Sequence, residues 1–255
     1  MPERPPVAGV LDEKERITVE QKFGVSAQQV IRDHAISHAL AAIAAVGTES
    51  TVFFGGTALS RTLLPNLRLS EDIDLFALAD RRALGRSIQT SIERRFQRSF
   101  GAATFTPPLG GTQHPDPSML AVRETRIQVQ LISSEGYPPW PTELVDIVQR
   151  YSDAPPARLR VLTPAAFVAS KLMAWCSRHA PRDLYDLWAL AKGGWIDAEA
   201  TRLYGRFGQH TSIAKVSFAS VPSLSDWQAQ LAHQCVIAST PEQAAQVVRD
   251  AISTL

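Results

Sequence analysis

Two neighbouring segments constrain this chain more than any others: Phe53-Phe54-Gly55-Gly56-Thr57-Ala58-Leu59, and then Arg68-Leu69-Ser70-Glu71-Asp72-Ile73-Asp74-Leu75-Phe76. They read as an apolar strand, a glycine turn carrying a hydroxyl, a short helix, and a second strand with aspartates at i and i+2. Alternate side chains on a strand share one face, so Asp72 and Asp74 are expected to converge. The flanking Ile73, Leu75 and Phe76 mark that strand as half buried, where an uncompensated carboxylate is costly. Two convergent carboxylates form a hard oxygen site suited to magnesium, which takes a carboxylate or two together with substrate phosphates. The Gly55-Gly56 turn lets backbone approach a phosphate closely, and the following helix offers unpaired N–H groups and a positive dipole end. Thr57 fits two roles, a phosphate ligand or a helix cap, because both use the same amides. A metal element beside a triphosphate element suggests nucleotidyl transfer.

The rest of the chain supplies an ordinary globular frame. At 255 residues it is long enough for one large domain or two small ones, and 45% apolar with 20% charged residues is usual for a soluble protein. The net charge of +1 gives no overall field for a nucleic-acid partner, so any such surface must be local. Cys176 and Cys235 have neither metal-ligand spacing nor a disulfide framework, which fits a reducing cytoplasm. No apolar run approaches the roughly 20 residues that span a bilayer, and residues 1–15 read as a loose arm without a signal-peptide core.

Periodicity predicts a helix from Ser26 to Val46, with Ser26 as N-cap and Gly47 as its stop. Strands are expected at Thr51–Phe54, Glu71–Leu78, Ala103–Thr106 and Thr125–Ile132, with a Pro/Gly-rich loop at 107–117. Asp80–Phe100 is an amphipathic helix with a ridge of Leu84, Ile88, Ile92, Phe96 and Phe100. Its other arc carries Arg81, Arg82, Arg86, Arg94, Arg95 and Arg98, offset by Asp80 and Glu93. That arc is either a solvated face or, through Arg86, Arg94 and Arg98, a phosphate-binding surface for RNA. Beyond Pro155-Pro156 the pattern turns helical, with Thr163-Pro164 and Pro181 opening helices to about Arg178 and Ala191. Further helical stretches are expected at 198–207, 225–236 and 241–252. The expected plan is a mixed α/β core over residues 1–155 and a helical half over 156–255.

His34 and His38 stand four apart on one helix face, the spacing of a zinc pair. The metalloprotease motif would need Glu where this chain has Ala35. No third ligand is evident in the sequence, so packing is the expected role.

Four blocks in order carry a family resemblance: Gly55-Gly56-Thr57-Ala58-Leu59, Arg68-x-Ser70-x-Asp72-x-Asp74, Lys171-Leu172-Met173-Ala174 and Arg182-Asp183-Leu184-Tyr185-Asp186-Leu187. The chain resembles the AbiEii/AbiGii-type nucleotidyltransferase toxins of type IV toxin–antitoxin systems, within the DNA-polymerase-β-like superfamily. The resemblance implies an α/β polymerase-β-like core with a mixed sheet, followed by a mainly helical domain that contributes Lys171 and Asp183 to the site. Asp72 and Asp74 would hold Mg2+ in a two-metal site. Gly55, Gly56, Thr57, Arg68, Ser70 and Lys171 would bind the triphosphate of an NTP. Asp183 would be a catalytic carboxylate, and Asp186 a supporting one held by Arg182 or Arg178. The implied acceptor is the 3′ end of tRNA, with translation blocked and a cognate antitoxin as partner, in the cytoplasm. One departure stands out. Enzymes of this superfamily place a third carboxylate on a later strand, whereas Thr125–Ile132 shows Arg126, Gln128 and Gln130. The same chemistry on a protein or small-molecule hydroxyl, or a catalytically silent nucleotide binder, are the alternatives.

Overall fold

The computed structural model describes residues 6–111 and 116–255. Helices α1 (Glu13–Phe23) and α2 (Ala27–Gly47) lead into β1 (Thr51–Phe54), α3 (Gly55–Ser60), β2 (Asp72–Ala77) and α4 (Arg81–Ser99). Four strands follow: β3 (Ala103–Thr106), β4 (Ser118–Val122), β5 (Thr125–Ser133) and β6 (Thr142–Asp146). After β7 (Arg158–Leu162) come α5 (Pro164–Arg178), α6 (Pro181–Lys192), α7 (Ala198–Phe207), α8 (Leu224–Leu231) and α9 (Pro241–Ser253).

The strands form one seven-stranded sheet in the order β3-β4-β5-β2-β1-β7-β6. It is mixed: β2 runs parallel to β5 and β1 parallel to β7, while the other pairs are antiparallel. This α/β architecture agrees with the fold class expected from the motifs. The expected boundary at 155/156 falls between β6 and β7, which pair with each other, and β7 also joins β1. The hydrophobic core is likewise continuous, running from α2 and the central strands through Phe167 and Leu172 of α5 to Leu184 of α6 and Val248 of α9.

The two faces of the sheet have different fates, set by strand alternation. Ile73 and Leu75 of β2, with Ile127, Val129 and Leu131 of β5, are fully buried under the apolar ridges of α2 and α4. Asp72, Asp74, Gln128 and Gln130 point the other way, toward the side where α5 and α6 bring their charges. The basic arc of α4 therefore lies behind the sheet. Arg86, Arg94 and Arg98 are placed away from the carboxylates, so they cannot hold RNA at the Asp72–Asp74 site itself.

Local signals explain most helix ends. Ser26, Asp80, Thr163 and Asp197 each cap a helix through a side-chain oxygen, and Pro164 and Pro181 occupy first turns. Gly47 proves to be the last helical residue of α2, with Thr48 beyond it. Helix α1 begins within the last three residues of the arm expected over residues 1–15: Asp12 caps it, and Gly24 closes it in the left-handed conformation. Residues 6–12 form neither helix nor strand, and residues 1–5 lie outside the described residues. No helix among the described residues is long and apolar enough to cross a membrane.

Candidate active site

Asp72 and Asp74 converge as their spacing requires. β1 and β2 pair so that Phe54 lies opposite Asp74, which sets the glycine turn directly beside the carboxylates. Gly55 has φ +78°, and a Cβ there would stand 2.5 Å from Asp74 Oδ2. Gly56 is as confined, since its Cβ would meet Arg68 Nη2 at 2.7 Å. Only glycine suits either position. No side chain caps α3, so the first-turn amides are left to backbone or ligand.

Neither aspartate has a side-chain hydrogen bond or ion pair among the described residues. Burial pushes both carboxyls above their ordinary value, and Asp74 rises to about 6 as the neighbouring Asp72 charge adds to that desolvation. Lys171, Arg178 and Arg182 oppose the rise at Asp74 through their charge. Two half-buried, mutually repelling carboxylates with no internal partner are the donor set a hard divalent cation satisfies. The residues therefore fit magnesium.

A few ångströms of side chain further on, the acidic residues behave in the opposite way. Lys171, buried in α5, donates to Asp186 Oδ2 at 2.7 Å and Asp183 Oδ1 at 3.2 Å. Arg178 grips Asp183 through Nε at 2.6 Å and Nη2 at 2.9 Å. Arg68 grips Asp186 in the same two-pronged way, both contacts being 2.8 Å, and reaches Gln234 Oε1 at 2.7 Å. The result is an alternating chain, Arg68–Asp186–Lys171–Asp183–Arg178, with three cations against two carboxylates; it is buried from Arg68 to Asp183 and exposed at Arg178. Burial alone would raise both carboxyls, but these cations hold Asp183 below its usual range and Asp186 at about 2.

Several expected roles change with this geometry. Arg68 is committed to Asp186 and Gln234 rather than to a phosphate. Asp186 is held by Arg68 and Lys171, and neither Arg182 nor Arg178 holds it. Asp183 is fully buried and paired with two cations, Lys171 and Arg178. Thr57 is buried and its hydroxyl donates to the Asp72 carbonyl, tying the turn to β2 instead of facing outward. Ser70 packs behind Gly56, its Oγ 3.2 Å from where a Cβ would sit. Arg182, by contrast, has no hydrogen-bonded partner among the described residues, and its charge is felt by both Asp72 and Asp74. Opposite Asp72 and Asp74 on β5 stand Gln128 and Gln130, so the neutral pair seen in the sequence does occupy the neighbouring strand.

The histidine pair has a companion that sequence spacing did not reveal. Asp153 accepts from His34 Nε2 at 2.9 Å, His38 Nε2 at 3.0 Å and Gly9 N at 2.7 Å. These donors outweigh burial and hold the Asp153 carboxyl far below its usual range, while burial lowers His38. Binding a metal there would move each imidazole proton to Nδ1, and His38 Nδ1 is buried with no acceptor. The cluster serves as a staple joining the N-terminal segment, α2 and the loop after β6.

Comparison with known proteins gives the family and the fold. Residues 38–238 match the sequence profile of the AbiEii nucleotidyl transferase toxin of type IV toxin–antitoxin systems. That span covers most of the chain and all four motif blocks. The chain belongs to this family. No curated protein matches it significantly. Among solved structures it is similar to MenT4, a nucleotidyltransferase toxin from Mycobacterium tuberculosis H37Rv, with a TM-score of 0.66 and 19% identity over 93% of this chain and 88% of that one. At that identity the likeness speaks for the fold. An antigenic nucleotidyltransferase-like protein from Paracoccidioides brasiliensis aligns over 71% of this chain and 78% of that one, with a TM-score of 0.39 and 13% identity, too low to argue from.

Proposed function

We propose that this AbiEii-family protein transfers a nucleoside monophosphate from an NTP to an acceptor hydroxyl at the 3′ end of tRNA. Aminoacylation and translation stop as a result, and a cognate antitoxin opposes the toxin in the cytoplasm. The observation that carries this reading is the unpartnered Asp72–Asp74 pair set against the Gly55-Gly56 turn, with Lys171 and Arg182 directed at the same place.

In this reading Asp72 and Asp74 hold magnesium, which when bound neutralises phosphate charge and favours in-line displacement at phosphorus. The amides of Gly55 and Gly56 cradle the β- and γ-phosphates. Lys171 faces the triphosphate with the proton it does not share with Asp183 and Asp186. Arg182 supplies a second cation, free to reach phosphate oxygens. The new bond joins the acceptor oxygen to the α-phosphorus, the bond to the β-phosphate breaks, and pyrophosphate leaves. The acceptor proton passes to water, because Gln130 cannot accept it as a base and Asp183 is already saturated. Asp183, Asp186, Arg68 and Arg178 act as positioning residues that fix Lys171.

Transfer from each of four α-labelled NTPs to total RNA and to total protein tests the proposal. Label is expected in tRNA. Label in protein instead would overturn the acceptor. NTP binding without any transfer would favour a silent nucleotide binder, the reading that the neutral Gln128–Gln130 pair supports.

A further inference from the structure

The sheet face that carries Asp72 and Asp74 continues past them into a row of aromatic rings. Phe76 follows Asp74 by two residues and so shares its face, about 7 Å further along the strand. Phe54 lies opposite Asp74 and Val52 opposite Phe76, which places both on that face as well. The Phe54 and Phe76 rings stack with centroids 4.0 Å apart and planes 11° from parallel. Tyr137 stands 5.0 Å from Phe76 at 56°. Beyond the rings opens a cavity of about 260 Å³, lined by Val52, Phe76, Leu78, Tyr137, Trp140 and Leu162. No charged side chain lines it. Leu78 and Tyr137 are 49% and 47% exposed at its rim, while Phe76 beneath them is buried.

Direction decides what this face receives. The glycine turn lies beside the aspartates and Phe76 beyond them, because β2 runs from Asp72 through Asp74 to Phe76 while the turn follows Phe54, opposite Asp74. In-line displacement places the attacking oxygen opposite the leaving group. With the β- and γ-phosphates at the turn, the acceptor hydroxyl must arrive from the side of the rings. A flat, uncharged, ring-lined recess beside an entering hydroxyl matches an unpaired base, which stacks on aromatic faces without sequence preference. We propose that Tyr137 and Phe54, both seated on the buried Phe76, form the platform on which the terminal base of a single-stranded RNA acceptor rests. The inference deepens the transferase reading above and rests on it for the placement of the phosphates.

The test uses the full chain and a short oligoribonucleotide whose 3′-terminal base is 2-aminopurine, a fluorophore quenched by stacking. Quenching is expected on binding to the native protein, and to Tyr137→Phe, and is expected to be lost in Tyr137→Ala. In transfer assays Tyr137→Ala should raise KM for the RNA acceptor about tenfold while KM for the NTP and kcat stay near native values. Tyr137 lies on an exposed loop, so the variant tests stacking rather than folding, and Trp140→Ala provides a second probe of the cavity. Transfer to RNA with no quenching would overturn the platform while leaving the transferase intact. A rise confined to the NTP KM would assign the rings to the donor base and equally overturn it. Quenching without transfer to RNA would uphold the platform and count against the transferase.

Discussion

Two pairs of aspartates, Asp72/Asp74 on β2 and Asp183/Asp186 on α6, have opposite electrostatics. The first pair has no side-chain partner among the described residues; burial raises both carboxyls, and the Asp72 charge raises Asp74 further. The second pair is gripped by Arg68, Lys171 and Arg178, and its carboxyls are held low. The same residue type thus does two jobs. A carboxylate left short of positive charge is poised for a cation from outside, whereas one whose cations are built in serves to hold those cations still. The difference also explains how Lys171 can be buried and charged: its counter-ions are fixed and its field extends to Asp74.

The largest expected effect separates the pairs by activity. Asp72→Ala should cut transfer by about 10³-fold or more, because several kcal/mol of charge stabilisation depend on the cation it holds. Its far-UV circular dichroism should stay native, and toxicity in cells should vanish. A toxic Asp72→Ala variant would merge the two pairs into one structural class and end the distinction.

Asp186→Ala should act on the fold instead. It leaves Arg68 and Lys171 buried with a lost counter-ion, and breaking such a pair costs about 3–5 kcal/mol. Thermal denaturation should register a fall in Tm on the order of 10 °C. A Tm within a degree or so of native would mean that the alternating chain carries no stability.

Asp74→Asn should do the reverse. Asp74 titrates at about 6 in the folded protein, above the unfolded value of about 3.9. Between those values the folded state binds the extra proton, so stability falls as pH rises through this window and the penalty is full above about 6. Removing the charge should therefore stabilise the metal-free protein by about 1–3 kcal/mol near neutral pH, with the gain fading as pH approaches about 4. Magnesium should stabilise the native protein and leave Asp74→Asn nearly unmoved. The smallest effect belongs to Arg182→Ala. With no hydrogen-bonded partner among the described residues to lose, it should leave Tm unchanged and raise KM for the NTP about tenfold.

The unpartnered pair and its setting were legible in the sequence, whereas the second pair was legible as a motif but its grip by Arg68 was not, for a physical reason. Asp72 and Asp74 are set by a local rule, strand alternation, and the Gly55-Gly56 turn by another. Their register against β1 needed only two adjacent strands. The grip of Arg68 on Asp186 spans 118 residues and that of Arg68 on Gln234 spans 166. No periodicity encodes such contacts, and a motif resemblance assigned Arg68 to phosphate instead. Asp153 escaped notice in the same way, 119 residues from His34.

Among the elements, α1 was hidden because its charged sequence buries only Val19 and Phe23, leaving Asp12 and Gly24 as its signals. Strands β4, β6 and β7 were not expected: β4 directly follows the Pro/Gly-rich loop, β6 follows Pro138, Pro139 and Pro141, and β7 sits where Pro155-Pro156 suggested a boundary. The long amphipathic helix α4 was read correctly from its ridge. Its position behind the sheet came only with the topology.

Carboxyl-carbon NMR shifts of the aspartates, followed while magnesium is added near neutral pH, test the contrast most directly. Asp72 and Asp74 should both move and saturate together, with the apparent pKa of Asp74 falling below about 6, while Asp183 and Asp186 hold their positions. Shifts that appear at Asp183 and Asp186, with Asp72 and Asp74 unmoved, would contradict the account.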